Sequence, residues 1–222
     1  MNSEVKILAS YDVLDVEEVI TDIEKSFNIN FEENELGHIK TFGEFQDYVI
    51  QKMEGDENFD CTSQQIFYKL RKIISENFNF KSENINPKTS LNEIFPLNNR
   101  RQNVSKMQKL LNFSGNILIL DNISQIVLIS VFTISIVVFF FNFFNGAIIF
   151  VIGLLLSEFL KANTFKVKNI KELSYLILKE NYANSRSVAK TFNPNEIRNA
   201  IQDIFSDKLQ IEKSKLIYNA QL

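Results

Sequence analysis

One cysteine, one histidine and six scattered glycines leave this 222-residue chain short of the residues on which most site chemistry depends. Cys61 has no second cysteine to form a disulfide or share a metal ion, so a disulfide framework is excluded and a reducing compartment fits. His38 and Cys61 lie on different segments with no flanking motif, which leaves no nucleophile and base to pair. The glycines nowhere gather into a phosphate-cradling loop, which disfavours a nucleotide-using enzyme. Positive charge is not in excess: 24 Lys and Arg against 27 Asp and Glu give a net charge of −3. No basic stripe with interleaved aromatics is present to neutralise phosphates, so no nucleic-acid partner is expected. The apolar patch at residues 5–9 is shorter than the ~7–15-residue core of a signal peptide. The expectation is a non-enzyme with no catalytic residues, no bound cofactor and no metal site.

Charge is also missing from one long stretch, and that absence organises the rest of the chain. Residues 123–160 are almost wholly apolar, and no charged side chain occurs from Ile126 to Leu156. A single helix over this run, at ~1.5 Å per residue, would far exceed the ~30 Å hydrocarbon layer of a bilayer. The run is interrupted at Asn142-Phe143-Phe144-Asn145-Gly146, where Asn-Gly is a turn signal because both residues tolerate positive φ, and two short helices near 124–141 and 146–160 are predicted. Each is near the ~17-residue lower limit for a span, so the hairpin would sit shallowly or thin the bilayer. Arg100, Arg101, Lys106 and Lys109 precede the run, and Lys161, Lys166, Lys168 and Lys171 follow it. Basic flanks on both sides predict a two-span membrane hairpin with both termini on the cytoplasmic face. With no leader at the front, the hairpin would also do the targeting.

Elsewhere the apolar spacing is helical. Leu14, Val16, Val19, Ile20, Ile23 and Phe27 follow a possible Asp12 cap, and the polar side carries Asp12, Asp15, Glu17, Glu18, Asp22 and Glu24. A short turn or helix is expected at 33–39. Thr41 with Glu44 has capping-box spacing ahead of Phe42, Phe45, Tyr48 and Val49. Residues 54–63 lack periodicity and read as a linker. Helices follow at 64–78 and 98–112, the second with Arg100, Arg101, Lys106 and Lys109 and no acid, and residues 114–122 read as an extended entry to the hairpin. After the hairpin come a helix at 169–180, a second linker at 184–193, and a last helix that Pro194 opens and that carries Ile197, Ile201, Ile204 and Phe205.

The chain also matches itself. Residues 66–91 align without a gap on 197–222, with Ile66/Ile197, Ile73/Ile204, Ser75/Ser206 and Leu91/Leu222 identical. Residues 42–50 align on 170–178 through Glu44/Glu172 and the apolar pairs Phe42/Ile170, Phe45/Leu173, Tyr48/Leu176 and Val49/Ile177.

These pieces resemble acyl carrier proteins, which are bundles of a first helix, a long loop, a second helix bearing the prosthetic-group serine, a short third helix and a fourth. Residues 66–95 resemble a carrier's first helix and loop, 104–113 its second helix and 169–180 its fourth, with the hairpin where the third should be. Residues 12–27, 33–39 and 41–52 resemble a second, third and fourth helix whose first is found at the far end, in 195–222. The resemblance implies an all-α protein of two acyl-carrier-like helical bundles plus a transmembrane helical hairpin. One bundle would be built from 1–53 and 194–222 and the other from 64–183, interrupted by 123–160, with linkers at 54–63 and 184–193.

A working carrier of this family holds phosphopantetheine on a serine in an Asp-Ser-Leu context. Neither copy here has that serine: Val13 stands in its place in Asp12-Val13-Leu14-Asp15, and Asn99 in the second copy. Ser105 and Ser124 lie nearby without the motif. The expected function is therefore a membrane-anchored, non-catalytic docking or scaffold protein. Alternatives are a membrane-associated carrier modified at another hydroxyl and a small integral membrane assembly protein. Expected partners are membrane lipids, met by the basic flank, and an acyl-carrier-dependent enzyme or cognate carrier protein. The two chain ends should complete one bundle within a chain, or between chains as a domain-swapped homo-oligomer.

Overall fold

The computed structural model of the chain describes residues 7–186 and 190–222, so the start of the apolar patch at 5–9 and the centre of the second linker lie outside the described residues. Among the described residues the fold is all-α: α1 (Val13–Phe27), α2 (Phe42–Lys52), α3 (Thr62–Asn77), α4 (Leu91–Ile94), α5 (Arg100–Leu111), α6 (Asn122–Phe141), α7 (Phe143–Phe159), α8 (Ile170–Glu180), α9 (Tyr182–Ser185) and α10 (Pro194–Leu209). Short 3-10 turns occupy Ile7–Ser10, Glu35–His38, Ser82–Asn84 and Lys213–Lys215.

The helix ends follow from side-chain caps. The Asp12 carboxylate accepts from the Leu14 amide at the start of α1, which ends on Asn28 in the left-handed region at φ 53°. Thr41 and Glu44 form the reciprocal capping box of α2. Asn169 does the same work for α8 by accepting from the Glu172 amide at 2.9 Å. Asn193 caps α10, whose first residue is Pro194.

Two groups of helices pack around one core. In the first, α10 lies against α1 and α2; in the second, α3 lies against α8 and α5. Helix α8 also touches α1 and α10, so the groups share a continuous apolar interior. Val19, Ile23, Phe42, Val49, Leu70, Ile74, Met107, Leu173, Ile197 and Ile201 are all fully buried there. The Phe42 and Phe45 rings meet Phe205 edge to face, with centroids 5.2 and 5.6 Å apart, so the last helix closes on α2 within this chain.

The backbone bonds of the two groups coincide at positions that align in the sequence. Leu91 donates its amide to the Lys168 carbonyl (3.0 Å), Ile170 to Thr89 (3.1 Å) and Lys171 to Pro87 (2.9 Å). Leu222 donates to Lys40 (2.9 Å), Phe42 to Ala220 (2.9 Å) and Gly43 to Tyr218 (2.8 Å). Isolated bridges Ser90 to Asn169 and Thr41 to Gln221 sit between them. Left-handed residues recur at the aligned Asn79 and Gln210. The Arg71 side chain donates to the Ser82 carbonyl and the Gln202 side chain to that of Lys213, again at aligned positions.

Three expectations are corrected. The linkers at 54–63 and 184–193 are partly structured: α3 already begins at Thr62, α9 extends to Ser185, and β1 (Asp56–Glu57) pairs in parallel with β4 (Thr191–Phe192). The guanidinium of Arg186, whose side chain is 2% exposed, binds the Asn58 and Asp60 carbonyls and the Thr62 hydroxyl and stands 3.7 Å from Glu196. Second, Arg100 does not face outward; it is buried, bonded to the Phe95 and Asn163 carbonyls and to Asn92, with its guanidinium 4.7 Å from the Phe165 ring centroid. Third, the interruption expected over residues 142–146 is confined to Asn142: α6 ends at Phe141 as expected, and Asn145-Gly146 lies inside α7, which starts three residues earlier than expected.

Candidate membrane-facing hairpin

Helices α6 and α7 stand apart from the core, and their sequence explains why they form. The Asp121 carboxylate accepts from the Ser124 amide and hydroxyl, starting α6. Asn142, at φ −151° and ψ 104°, then serves both helices: its amide donates to Val138 (2.8 Å), its carbonyl accepts from Gly146 (3.0 Å), and its side-chain oxygen accepts from the Asn145 amide (3.1 Å). One residue therefore ends α6 and caps α7, and the chain folds back on itself.

The two legs touch along small residues. A Cβ on Gly146 would lie 2.5 Å from the Cα of Phe139, a backbone atom that cannot turn aside. The Ser135 hydroxyl donates to the Gly146 carbonyl at 3.1 Å, and Gly153 meets Phe132 and Val131. Small residues that let backbones approach, with a hydroxyl bonded across the seam, are how helices pair where lipid is the solvent. The seven-residue spacing of Gly146 and Gly153 puts both on one helix face, a signal present in the sequence that the turn reading of Asn145-Gly146 hid.

Only Ser135, Gly146 and Gly153 are buried on these helices. Phe140, Phe141 and Phe144 are 83%, 88% and 77% exposed. The surface is apolar on every side, unlike the one-sided stripes of α1 or α3, and an exposed apolar surface of this extent needs a partner phase. One helix, Asn122–Phe141, is long and apolar enough to cross a membrane; Phe143–Phe159 is a shorter apolar helix. Their bases are joined by β2 (Leu118–Ile119), which pairs antiparallel with β3 (Thr164–Phe165), so both legs leave the folded body at one point. Lys161, Lys166 and Lys168 lie exposed around this neck, with Arg101 beside the buried Arg100.

The residues that the sequence resemblance set at carrier-like serine positions are on different elements. Val13 is the first residue of α1 and 68% exposed, while Asn99 immediately precedes α5. Ser105 is exposed on α5, and the Ser124 hydroxyl donates to Asp121. Cys61 is exposed beside Ser63, and His38 places its ring edge-on to Tyr48. Among the described residues, no three His, Cys, Asp or Glu side chains converge to hold a metal ion. The acidic set of α1 divides: Asp12, Asp15 and Glu17 are exposed, Glu18 and Asp22 hold Lys208 at 2.6 and 2.8 Å, and Glu24 accepts the Phe31 amide.

A polar groove of about 1580 Å³ runs where the C-terminal ends of α1, α5, α8 and α10 meet. Several of its lysines are tied in pairs, Lys179 to Asp207, Lys166 to Glu180 and Lys208 to Asp22. Lys106 leans over the Phe78 ring. Burial lowers the Arg100 guanidinium below its ordinary value, consistent with a cation held for structure. No family model, curated protein or solved structure matches the chain.

Proposed function

We propose that the chain is a membrane-anchored, non-catalytic docking or scaffold protein, in which an apolar hairpin holds two degenerate acyl-carrier-like bundles at the lipid surface. The observation that carries this reading is the hairpin: two helices exposed on all sides and satisfied along their own seam, leaving the folded body through a single two-stranded neck. With both legs starting from that neck, the bundles lie on one side of the membrane, and the lysines around it put that side in the cytoplasm and against anionic headgroups. The coincident backbone bonds at aligned positions support two copies of one bundle, one interrupted by the hairpin and the other divided between the chain ends. Asp12, Asp15 and Glu17, beside the exposed Val13 and Leu14, offer a basic partner such as an acyl-carrier-dependent enzyme a docking edge.

Val13 and Asn99 at the serine positions motivate the non-catalytic assignment. Intact-mass measurement after incubation with a phosphopantetheinyl transferase and coenzyme A should show no added arm. If the arm is added, and Ser105→Ala or Ser124→Ala removes it, the protein is a carrier and this reading fails. Cysteines introduced at Arg101 and Lys168 should share one accessibility in sealed vesicles, and opposite accessibility contradicts the hairpin.

A further inference from the structure

The geometry points to a hairpin that enters the bilayer from one face and ends inside it, its Asn142 tip surrounded by acyl chains and never reaching the far headgroups. This inference rests on the membrane-anchoring reading above and adds the depth and topology of the inserted part.

Length is the first argument. The charges that bound the hairpin are Asp121 before α6 and Glu158 and Lys161 at the end of α7, all exposed. The uncharged part of α6 beyond Gln125 runs from Ile126 to Phe141, and that of α7 from Phe143 to Ser157; each gives roughly 22–24 Å of rise. The hydrocarbon layer is ~30 Å thick. Helix α6 has the residues for a full span only if Asn122, Ser124 and Gln125 enter the hydrocarbon as well. Gln125 is engaged instead at the neck, its side-chain amide donating to the Leu120 carbonyl at 2.7 Å. Because the legs share one neck, the shorter reach of α7 sets the depth of both.

The composition and bonding of the tip are the second argument. A hairpin that emerges on the far side normally exposes a polar or charged loop to water, and here the connection is Asn142 alone. Phe140, Phe141, Phe143 and Phe144 surround it with their rings outward. Within hydrocarbon, a bend in the backbone persists only if its polar groups find partners in the protein. Asn142 meets that condition, since its amide, carbonyl and side-chain oxygen bond to Val138, Gly146 and Asn145 respectively. Hydroxyls along α6 likewise find partners in the protein: Thr133 donates to the Ile129 carbonyl of its own helix and Ser135 to the Gly146 carbonyl across the seam.

The test uses the full chain with Cys61→Ser and a single introduced cysteine, Phe141→Cys or Phe144→Cys at the tip or Lys161→Cys at the neck, each labelled with a small fluorophore. Protein is added to sealed vesicles of phosphatidylcholine and phosphatidylglycerol, and the vesicle-bound fraction is recovered by flotation. Both tip labels should be quenched by lipids brominated deep in the acyl chain and by iodide in neither compartment, while the neck label is quenched by external iodide. Quenching of either tip label by iodide trapped inside the vesicle means that the hairpin crosses, and overturns this inference while leaving the anchor intact. Two tip positions guard against one substitution that fails to fold. Failure of all three proteins to float overturns the anchoring reading itself, and the inference with it.

Discussion

The Ile7 amide donates to the Gln221 carbonyl at 2.8 Å, so the first described residue of the chain meets its last turn. Gln221 aligns with Ser90 and Leu222 with Leu91, and in the interior copy the chain runs on from Leu91 through the short helix α4. In the other copy the chain runs from Gln221 to Leu222, and the 3-10 turn Ile7–Ser10, tied to Gln221 by this hydrogen bond, stands beside that end. A bundle divided between the termini and closed at this point is the relation expected of a circularly permuted copy.

Deleting residues 194–222 removes Ile197, Ile201 and Phe205, each at most 1% exposed, from the core formed with α1 and α2. Burial of one such side chain is worth ~1.5–3 kcal/mol, so the first bundle should lose most of its stability. Limited proteolysis should cut α1 and α2 in the truncated chain while vesicle binding persists. Protection of α1 and α2 equal to that of the intact protein would show that the ends share no core.

Arg186 ties the two linkers together. Replacing it with Met leaves two carbonyls and the Thr62 hydroxyl without its guanidinium, while Glu196 keeps its bonds from Thr62, and losing hydrogen bonds to a charged donor costs ~1.5–3 kcal/mol. The urea midpoint should fall accordingly. A change below ~1 kcal/mol would mean that the linkers do not depend on this contact.

At Gly146 and Gly153 the contrast is between backbone and side chain. Gly146→Leu must push the legs apart at Phe139, whereas Gly153→Ala meets the edge of the Phe132 ring at 3.0 Å, which can give. Overpacking of this kind costs ~1–3 kcal/mol. In vesicles, Gly146→Leu should weaken an introduced cross-link between the legs far more than Gly153→Ala does. Equal cross-linking in both would mean that the seam lies elsewhere.

The caps of α1 and α2 and the start of α10 were legible because each depends on side chains within three residues of the helix start: Asp12, Thr41 with Glu44, and Pro194 occur where the structure uses them. The end of α6 was legible, but the start of α7 was set three residues late because Asn145-Gly146 carries a turn signal on propensity alone. Its glycine serves tertiary contact with Phe139, and the preceding Asn142 supplies the cap. Arg100 read as a flanking cation, and Arg186 went unmarked in the second linker, because burial of a charge depends on distant carbonyls: Asn163 for the first, Asn58 and Asp60 for the second. No periodicity encodes such partners.

Glu35 gives a pH dependence. Its carboxylate accepts from the Lys52 ammonium at 2.6 and 2.7 Å and from the Tyr48 hydroxyl, and these bonds lower its pKa from 4.5 to about 2. The folded value lies below the unfolded one, so the stabilisation is fully present above pH ~4.5 and is lost as pH falls towards ~2. Carbon NMR of the Glu35 carboxyl should show the low midpoint, and Lys52→Met should raise it. A midpoint at the ordinary carboxylate value in the unaltered protein would contradict the cluster.

Comparison of the full chain with one in which residues 122–159 are replaced by a short Gly-Ser turn bears most directly on the membrane anchor. The strands β2 and β3 already pair antiparallel at the neck, so the replacement closes a hairpin without disturbing the core. In vesicle flotation the full chain should rise with the lipid, and the shortened chain should stay in the aqueous fraction with its remaining helical circular dichroism intact. A full chain that stays monomeric in detergent-free buffer and does not float would contradict the anchor.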